Sequence, residues 1–185
     1  LEPVHDRLQT VLASEVTVSV PGVSTRDYDD VFGNRARRVL VETPYSELTI
    51  EARSRVEVLD VEPFPGGLRH PRTRIPLVWM PWQRHMLQPF LLPPELPESE
   101  LRELTEYANA FVTRNDDDVV DTLLDLNGTI FREYAYRQGS TNLSTTPFDV
   151  YANRRGVCQD FANLFICLAR LLGVPARYAC GYVYT

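Results

Sequence analysis

Residues 156–162 read Gly-Val-Cys-Gln-Asp-Phe-Ala, and this stretch places a thiol where a helix begins. An apolar run follows as far as Leu172. Gly173 and Pro175 then end the helix, because glycine readily adopts a left-handed C-cap and proline cannot continue the helix. Unpaired N–H groups and the positive end of the helix dipole favour thiolate over thiol at Cys158. The pattern therefore predicts a largely buried helix whose first turn carries a nucleophilic cysteine.

The other two cysteines are interpreted differently. Cys167 falls in the middle of this helix and Cys180 in an apparent strand, so both are expected to be small buried hydrophobic residues. The spacings between Cys158, Cys167 and Cys180 fit neither a CxxC metal pair nor an even disulfide framework. Free thiols agree with a reducing compartment, and we expect a cytoplasmic protein without a metal.

Composition limits the remaining functions. The chain has 185 residues, of which 44% are hydrophobic, enough for one or two small soluble domains. The formal net charge of −6 argues against a nucleic-acid surface. Charge or proline interrupts every apolar run before it could span a membrane, and no secretory leader opens the chain. There is no glycine-rich phosphate loop and no internal repeat, so no cofactor is expected.

The first third of the chain is predicted to be a small β-sandwich. Alternating apolar residues mark antiparallel strands at residues 11–20, 36–42 and 47–59, separated by turn residues. Residues 62–98 follow as a linker that holds nine of the fourteen prolines, where neither helix nor strand is expected to run far. Trp79 and Trp82 indicate that this linker packs against something.

The apolar period then changes to that of helices. One helix is predicted after Glu98, with apolar positions from residue 101 to 112, and another opens at the acidic triplet 116–118. Three consecutive carboxylates are spread around the helix axis and suit its dipole better than a metal ion. The expected organisation is an α+β protein with a partial β domain (1–61), the linker (62–98) and a partial catalytic core (99–185).

These motifs resemble the bacterial branch of the transglutaminase-like superfamily, which includes cysteine proteases. The resemblance rests on residues 156–162, on Leu-Leu-Gly-Val-Pro-Ala-Arg-Tyr at 171–178, and on Gly181-Tyr182. Upstream, residues 30–34, 48–52 and 131–141 resemble the N-terminal β domain and the approach to the core. The chain departs from the family at Asn163, where relatives often have histidine. Gln159 follows the cysteine, whereas animal transglutaminases have glutamine before it.

The resemblance implies a papain-like core with a Cys-His-Asp triad in that chain order. No histidine follows Cys158, and His5, His70 and His85 are interpreted as solvated or packing residues. A cysteine without its base lacks the proton shuttle that acyl transfer needs. The chain is therefore expected to be a fragment, inactive alone and truncated at both ends, since it opens on Leu1.

In the parent protein, Cys158 is expected to form a thioester with a protein or peptide substrate. Its own N–H would be one oxyanion donor, and Tyr136 is a candidate for the second, although an aromatic packing role also fits. Peptidase, amidase and acyl-transfer activities stay open, as does a non-catalytic interaction module on the same fold. The strand predicted from Tyr178 to Thr185 would leave an open edge through which the chain could self-associate.

Overall fold

The computed structural model describes residues 2–30, 32–61, 72–139, 142 and 144–182. These residues form two compact units. The strand unit holds residues 2–61 together with Gly181 and Tyr182, and the helical unit holds residues 72–180. The order of the elements, strands first and helices afterwards, confirms the predicted α+β class.

The strand unit contains two antiparallel two-stranded sheets. Its strands are β1 (Gln9–Val18), β2 (Ser24–Asp29), β3 (Arg35–Leu40) and β4 (Ile50–Val58). β1 pairs with β4 and β2 pairs with β3, so the predicted antiparallel strands correspond to β1, β3 and β4. β2 is absent from the sequence prediction because Ser-Thr-Arg-Asp-Tyr-Asp has no apolar alternation.

Five helices and two short strands are described in the helical unit. They are α1 (Pro81–Leu91), α2 (Glu98–Arg114), α3 (Val119–Glu133), β5 (Ala135–Tyr136), α4 (Pro147–Asn153), β6 (Arg155–Gly156) and α5 (Cys158–Leu171). Buried apolar side chains of α2, α3, α4 and α5 form one core cluster. Its fully buried members include Leu104, Phe111, Leu126, Val150, Leu164 and Leu168. Within the described ranges, no helix is long and apolar enough to cross a membrane.

The boundaries of α2, α3 and α5 agree with the sequence patterns. Asp118 is the N-cap of α3, and its carboxylate accepts hydrogen bonds from the Val120 and Asp121 N–H groups at 2.9 and 3.0 Å. The acidic triplet thus contributes a helix cap, as its position predicts. At the other end of the core, Gly173 has φ 74° and closes α5 as predicted.

The proline-rich segment differs from its prediction, because α1 lies inside it. Pro81 occupies the first helical turn, where a missing N–H costs nothing, and no proline follows until Pro89. The seven residues between these prolines suffice for two helical turns. Trp79 packs as expected, and its indole N–H donates to the Gly173 carbonyl at 3.2 Å, whereas Trp82 is 63% exposed. The division of the chain at residues 61 and 98 stays a prediction.

The predicted strand from Tyr178 to Thr185 is wrong over residues 178–182, which have no strand structure. Residues 183–185 lie outside the described residues. The physical reason is that a strand requires a hydrogen-bonded neighbouring strand, and none of the sheets in the described part of the chain includes this segment. Self-association through this segment stays a prediction.

Candidate active site

Cys158 is the first residue of α5, and its side chain is exposed. Among the residues that the structure describes, neither the Cys158 N–H nor the Gln159 N–H has a hydrogen-bond acceptor. Two free donors therefore stand at the positive end of the helix, beside an accessible thiol. This arrangement agrees with the position that the sequence predicts for the cysteine.

The start of α5 is fixed by the buried carboxylate of Asp160. One of its oxygens accepts a hydrogen bond from the Val157 N–H at 2.8 Å, and the Asp160 N–H donates to the Val157 carbonyl at 3.0 Å. The aspartate therefore caps the helix on the residue before Cys158. Asp160 thus has a structural role in the first turn of α5.

Gly156 is required by the close approach of that same carboxylate. A Cβ atom at this position would lie 2.9 Å from the Asp160 Cβ and 3.3 Å from the Phe161 ring. Both atoms belong to side chains in the first turn of α5, so an alanine at position 156 would have to displace the Asp160 and Phe161 side chains. The glycine therefore lets the chain pass closely over Asp160 immediately before the cysteine.

Tyr136 lies on the strand beside the segment that leads to Cys158. β5 and β6 are parallel, and Tyr136 is directly opposite Gly156. The Ala135 N–H donates to the Arg154 carbonyl at 2.8 Å. The Arg137 N–H donates to the Gly156 carbonyl at 2.9 Å. Tyr136 is 59% exposed, and its ring makes an edge contact with Phe161. The structure thus places this predicted residue on the strand that pairs with the segment leading to Cys158.

Arg154, which sequence reasoning missed, holds the other end of this segment. Its guanidinium lies 4.7 to 5.0 Å from the ring centroids of Tyr107, Tyr134 and Tyr151, and we call these four residues the arginine cage. The guanidinium also donates to the Tyr107 hydroxyl at 3.1 Å and to the Tyr134 hydroxyl at 2.7 Å. Three aromatic faces and two hydrogen bonds anchor the residue that precedes β6.

The cage allows an unusual backbone conformation. Arg154 has φ 51°, a left-handed conformation that costs a residue other than glycine of order 1 kcal/mol. Burial, and then the hydrogen bond with Tyr107, raises the pKa of Tyr134, so this phenol stays a neutral donor or acceptor. The interactions of the guanidinium offset the strained turn between α4 and β6. The segment from Arg154 to Cys158 is therefore held at both ends.

The remaining cysteines divide into one buried and one exposed thiol. Burial raises the pKa of Cys167 to about 11, which confirms the buried interpretation. Cys180 is exposed, so the buried interpretation of that residue is wrong. Desolvation, followed by a hydrogen bond with Cys180 and the nearby charge of Cys158, raises the pKa of Tyr178. Tyr178 therefore lies close to both exposed thiols.

The histidines remain without an assigned catalytic role. His85 is exposed on α1, His5 precedes β1 in the strand unit, and His70 lies outside the described residues. The described residues contain no group of three or more His, Cys, Asp or Glu side chains that could hold a metal ion. The assembled site thus consists of an exposed thiol, two free N–H groups and neighbouring phenols.

Comparison with known proteins agrees with this arrangement of elements. Residues 105–185 match the transglutaminase-like superfamily, and residues 1–57 match the bacterial transglutaminase-like N-terminal region. Residues 105–185 therefore carry the core region of the transglutaminase-like superfamily. The matched core region includes α5 and Cys158, and the matched N-terminal region includes β1, β2, β3 and all of β4 except its last residue, Val58. The resemblance inferred from the sequence motifs is confirmed.

Relatives of the chain include uncharacterized proteins of Mycobacterium tuberculosis and Mycobacterium bovis. Each is 32% identical to this chain over 197 aligned positions, which cover 100% of the chain and 59% of the relative. An uncharacterized protein of Mycobacterium leprae is 24% identical, with 63% of that relative covered. The chain therefore spans less than two thirds of the length of these relatives.

A solved structure supports the fold. The crystal structure of a candidate cysteine protease from Cytophaga hutchinsonii superposes with a TM-score of 0.67 at 22% identity. The match covers 95% of this chain and 57% of that protein. Since the sequences have diverged this far, the similarity shows a shared fold.

Proposed function

We propose that Cys158 is the nucleophile of a transglutaminase-like cysteine enzyme that acts on amide bonds. The observation that carries the proposal is the exposed thiol at the first residue of α5, beside the free N–H groups of Cys158 and Gln159. A thiol in this position combines access to substrate with a favourable helix dipole. The substrate class that fits is a protein or peptide.

The proposed reaction has two steps. The Cys158 thiolate attacks an amide carbonyl, an S–C bond forms, and the C–N bond breaks as the amine leaves with a proton. Water or a second amine then attacks the thioester carbonyl, which breaks the S–C bond and returns the sulfur as a thiol. The Cys158 N–H stabilises the oxyanion that develops in each step. The Tyr136 hydroxyl is the proposed second donor, because β5 runs directly beside the Cys158 segment.

The proton shuttle is proposed to come from a part of the parent protein beyond these 185 residues. No histidine follows Cys158 in the chain, and the mycobacterial relatives are longer than the region they share with it. With the thiol but without the base, the chain alone should form a thioester and fail to turn over. A hydrolytic reaction and a cytoplasmic location belong to the same proposal.

A non-catalytic interaction module is the second candidate function. It is favoured by the two histidines that the structure describes. His85 is exposed on α1 and His5 lies in the strand unit, and neither is assigned as a catalytic base for Cys158. In such a module, Cys158 would be an ordinary surface thiol with no preference over Cys180. The two candidates therefore differ in the relative reactivity of two exposed cysteines.

Acylation by p-nitrophenyl acetate distinguishes the two candidates. We expect about one acetyl group per chain, mapped to Cys158 by mass spectrometry, with p-nitrophenol released once and then no further. Cys158→Ala should remove the burst, and Tyr136→Phe should slow it, since loss of an oxyanion donor typically costs about 10²-fold or more in rate. The matched control is the urea-unfolded chain, in which position no longer favours any thiol.

Two results would contradict the proposal. Equal acetylation rates at Cys158 and Cys180 in the folded chain would leave the interaction module as the better function. Repeated turnover that Cys158→Ala abolishes would keep the nucleophile but show that the base lies within these 185 residues.

A further inference from the structure

The hairpin formed by β2 and β3 has two faces with opposite electrostatic character. Its register places Arg26 directly opposite Arg38, with Tyr28 two residues further along the same face. Asp27 and Arg37 are directly opposite each other on the other face. Because side chains alternate across a strand, the two sets do not mix.

The face that carries Asp27 is neutralised within the chain. Arg37 donates to both oxygens of Asp27, at 2.6 and 3.0 Å, and also lies 3.4 Å from a carboxylate oxygen of Glu2. Arg35 donates to Asp27 at 3.4 Å. The hydrogen bond from Arg37 is the main reason why the pKa of Asp27 falls to about 2. Each arginine on this face therefore has a carboxylate partner.

The face that carries Arg26 and Arg38 has no such partner. Neither guanidinium forms an ion pair or a side-chain hydrogen bond with any residue in the described ranges. Cross-strand neighbours have Cβ atoms roughly 5 Å apart, so two like charges at this position destabilise the hairpin. The chain has 25 acidic residues, yet none of those that the structure describes forms an ion pair with Arg26 or Arg38.

These two arginines and Tyr28 line an open depression of about 540 Å³. Its volume lies within the range of ligand sites, roughly 300 to 1,000 Å³. Guanidinium groups bind carboxylates through two parallel N–H donors, and two adjacent groups suit two carboxylates on one ligand. The Tyr28 hydroxyl adds a neutral donor at the edge. A nucleic-acid strand fits poorly, since it needs a longer basic track and the chain is acidic overall.

We propose that Arg26, Arg38 and Tyr28 form a binding site for paired carboxylates on an acidic peptide segment. The bound carboxylates would neutralise the like charges that the hairpin leaves facing each other. The site belongs to the strand unit, and the proposal does not depend on the chemistry of Cys158. It gives the strand unit a recognition role of its own.

Fluorescence anisotropy with a fluorescein-labelled peptide of four consecutive glutamates tests the site. The chain carries Cys158→Ala, so that a failure of the proposed function cannot affect the result. We expect binding that falls at least about tenfold in affinity in the double variant Arg26→Gln/Arg38→Gln, equivalent to about 1.4 kcal/mol. The double variant Arg35→Gln/Arg53→Gln is the control, because it changes the net charge equally at arginines that already have carboxylate partners.

Three outcomes would overturn the proposal. Equal binding of the matching glutamine peptide would show that carboxylates are not recognised. Equal loss in both double variants would show a response to net charge alone. Binding of inorganic phosphate at the two arginines, with no binding of the glutamate peptide, would assign the site to a free anion.

Discussion

The strand unit and the helical unit use their side chains in opposite ways. Among the described residues of the strand unit, Val20 alone is buried, whereas four helices of the helical unit share a continuous apolar core. The side-chain links in the strand unit are surface contacts such as Asp27 with Arg37. Burial of a large apolar side chain contributes about 1.5–3 kcal/mol, and an exposed ion pair contributes about 0–1 kcal/mol. The candidate nucleophile therefore stands on the more strongly packed unit.

Leucine truncation gives the largest expected difference between the units. Leu164→Ala removes a fully buried side chain from α5 and should lower the free energy of unfolding by about 2–5 kcal/mol. Leu12→Ala removes the same atoms from a side chain that is 51% exposed, and should cost about 0.5 kcal/mol or less. Urea titration followed by tryptophan fluorescence measures the first effect, because Trp79 and Trp82 both lie in the helical unit. Circular dichroism measures the effect of Leu12→Ala on the strand unit. Equal losses of unfolding free energy in the two variants would contradict the comparison.

Glycine substitutions sharpen the comparison within the helical unit. Gly156→Ala forces a Cβ against Asp160 and should destabilise this unit by about 1–3 kcal/mol while slowing acylation of Cys158. Gly128→Ala is the matched control in α3, where a Cβ meets only the flexible end of Arg132. This control should raise helix stability by about 0.5–1 kcal/mol. A neutral Gly156→Ala variant would show that the Asp160 cap does not constrain the cysteine.

The smallest expected effects come from pH, and the two units should respond at opposite ends of the scale. Arg37 lowers the pKa of Asp27 to about 2, so this contribution to the strand unit is present above pH 4 and disappears between pH 4 and 2. Burial raises the pKa of Cys167 to about 11, so the folded helical unit keeps a proton that the unfolded chain releases. Its stability should therefore fall as pH rises from about 9 to 11.

Amide chemical shifts of β2 and β3 report the acid change, and tryptophan fluorescence in urea reports the alkaline change. Asp27→Asn should remove the first response, and Cys167→Ala should reduce the second. An alkaline response that Cys167→Ala leaves intact would mean that the tyrosines of the helical unit carry it instead.

The same contrast explains what the sequence could predict. α2, α3 and α5 bury one face each, so apolar residues recur with the helical period and their positions can be predicted. β2 buries no residue and is held by its ladder with β3, a partner that sequence periodicity does not reveal. α1 was not predicted because it lies in a proline-rich segment, although a proline in the first turn, such as Pro81, is a helix-start signal.

At the candidate site, the local sequence was sufficient to predict the position of Cys158 but not α4 or the arginine cage, which hold the segment before it. Glycine, helix start and cysteine are adjacent in sequence, so their geometry follows from a single turn. The seven-residue α4 is too short for a periodic signal, although Thr146 and Asp149 form a capping box that could have marked its start. Arg154 and the tyrosines of its cage come from different elements, and only the tertiary structure brings them together.

The arrangement of α4, β6 and α5 has a consequence for how the cysteine acquires its surroundings during folding. Tyr107 and Tyr134 lie 47 and 20 residues from Arg154, but Tyr151 is only three residues away, and the Asp160 cap closes on Val157 at the same short separation. Contacts of such short sequence separation require little loop-closure entropy and form rapidly. The nascent chain can therefore form the Asp160 cap and the contact between Arg154 and Tyr151 early, and the arginine cage closes later, when Tyr107 and Tyr134 pack against it.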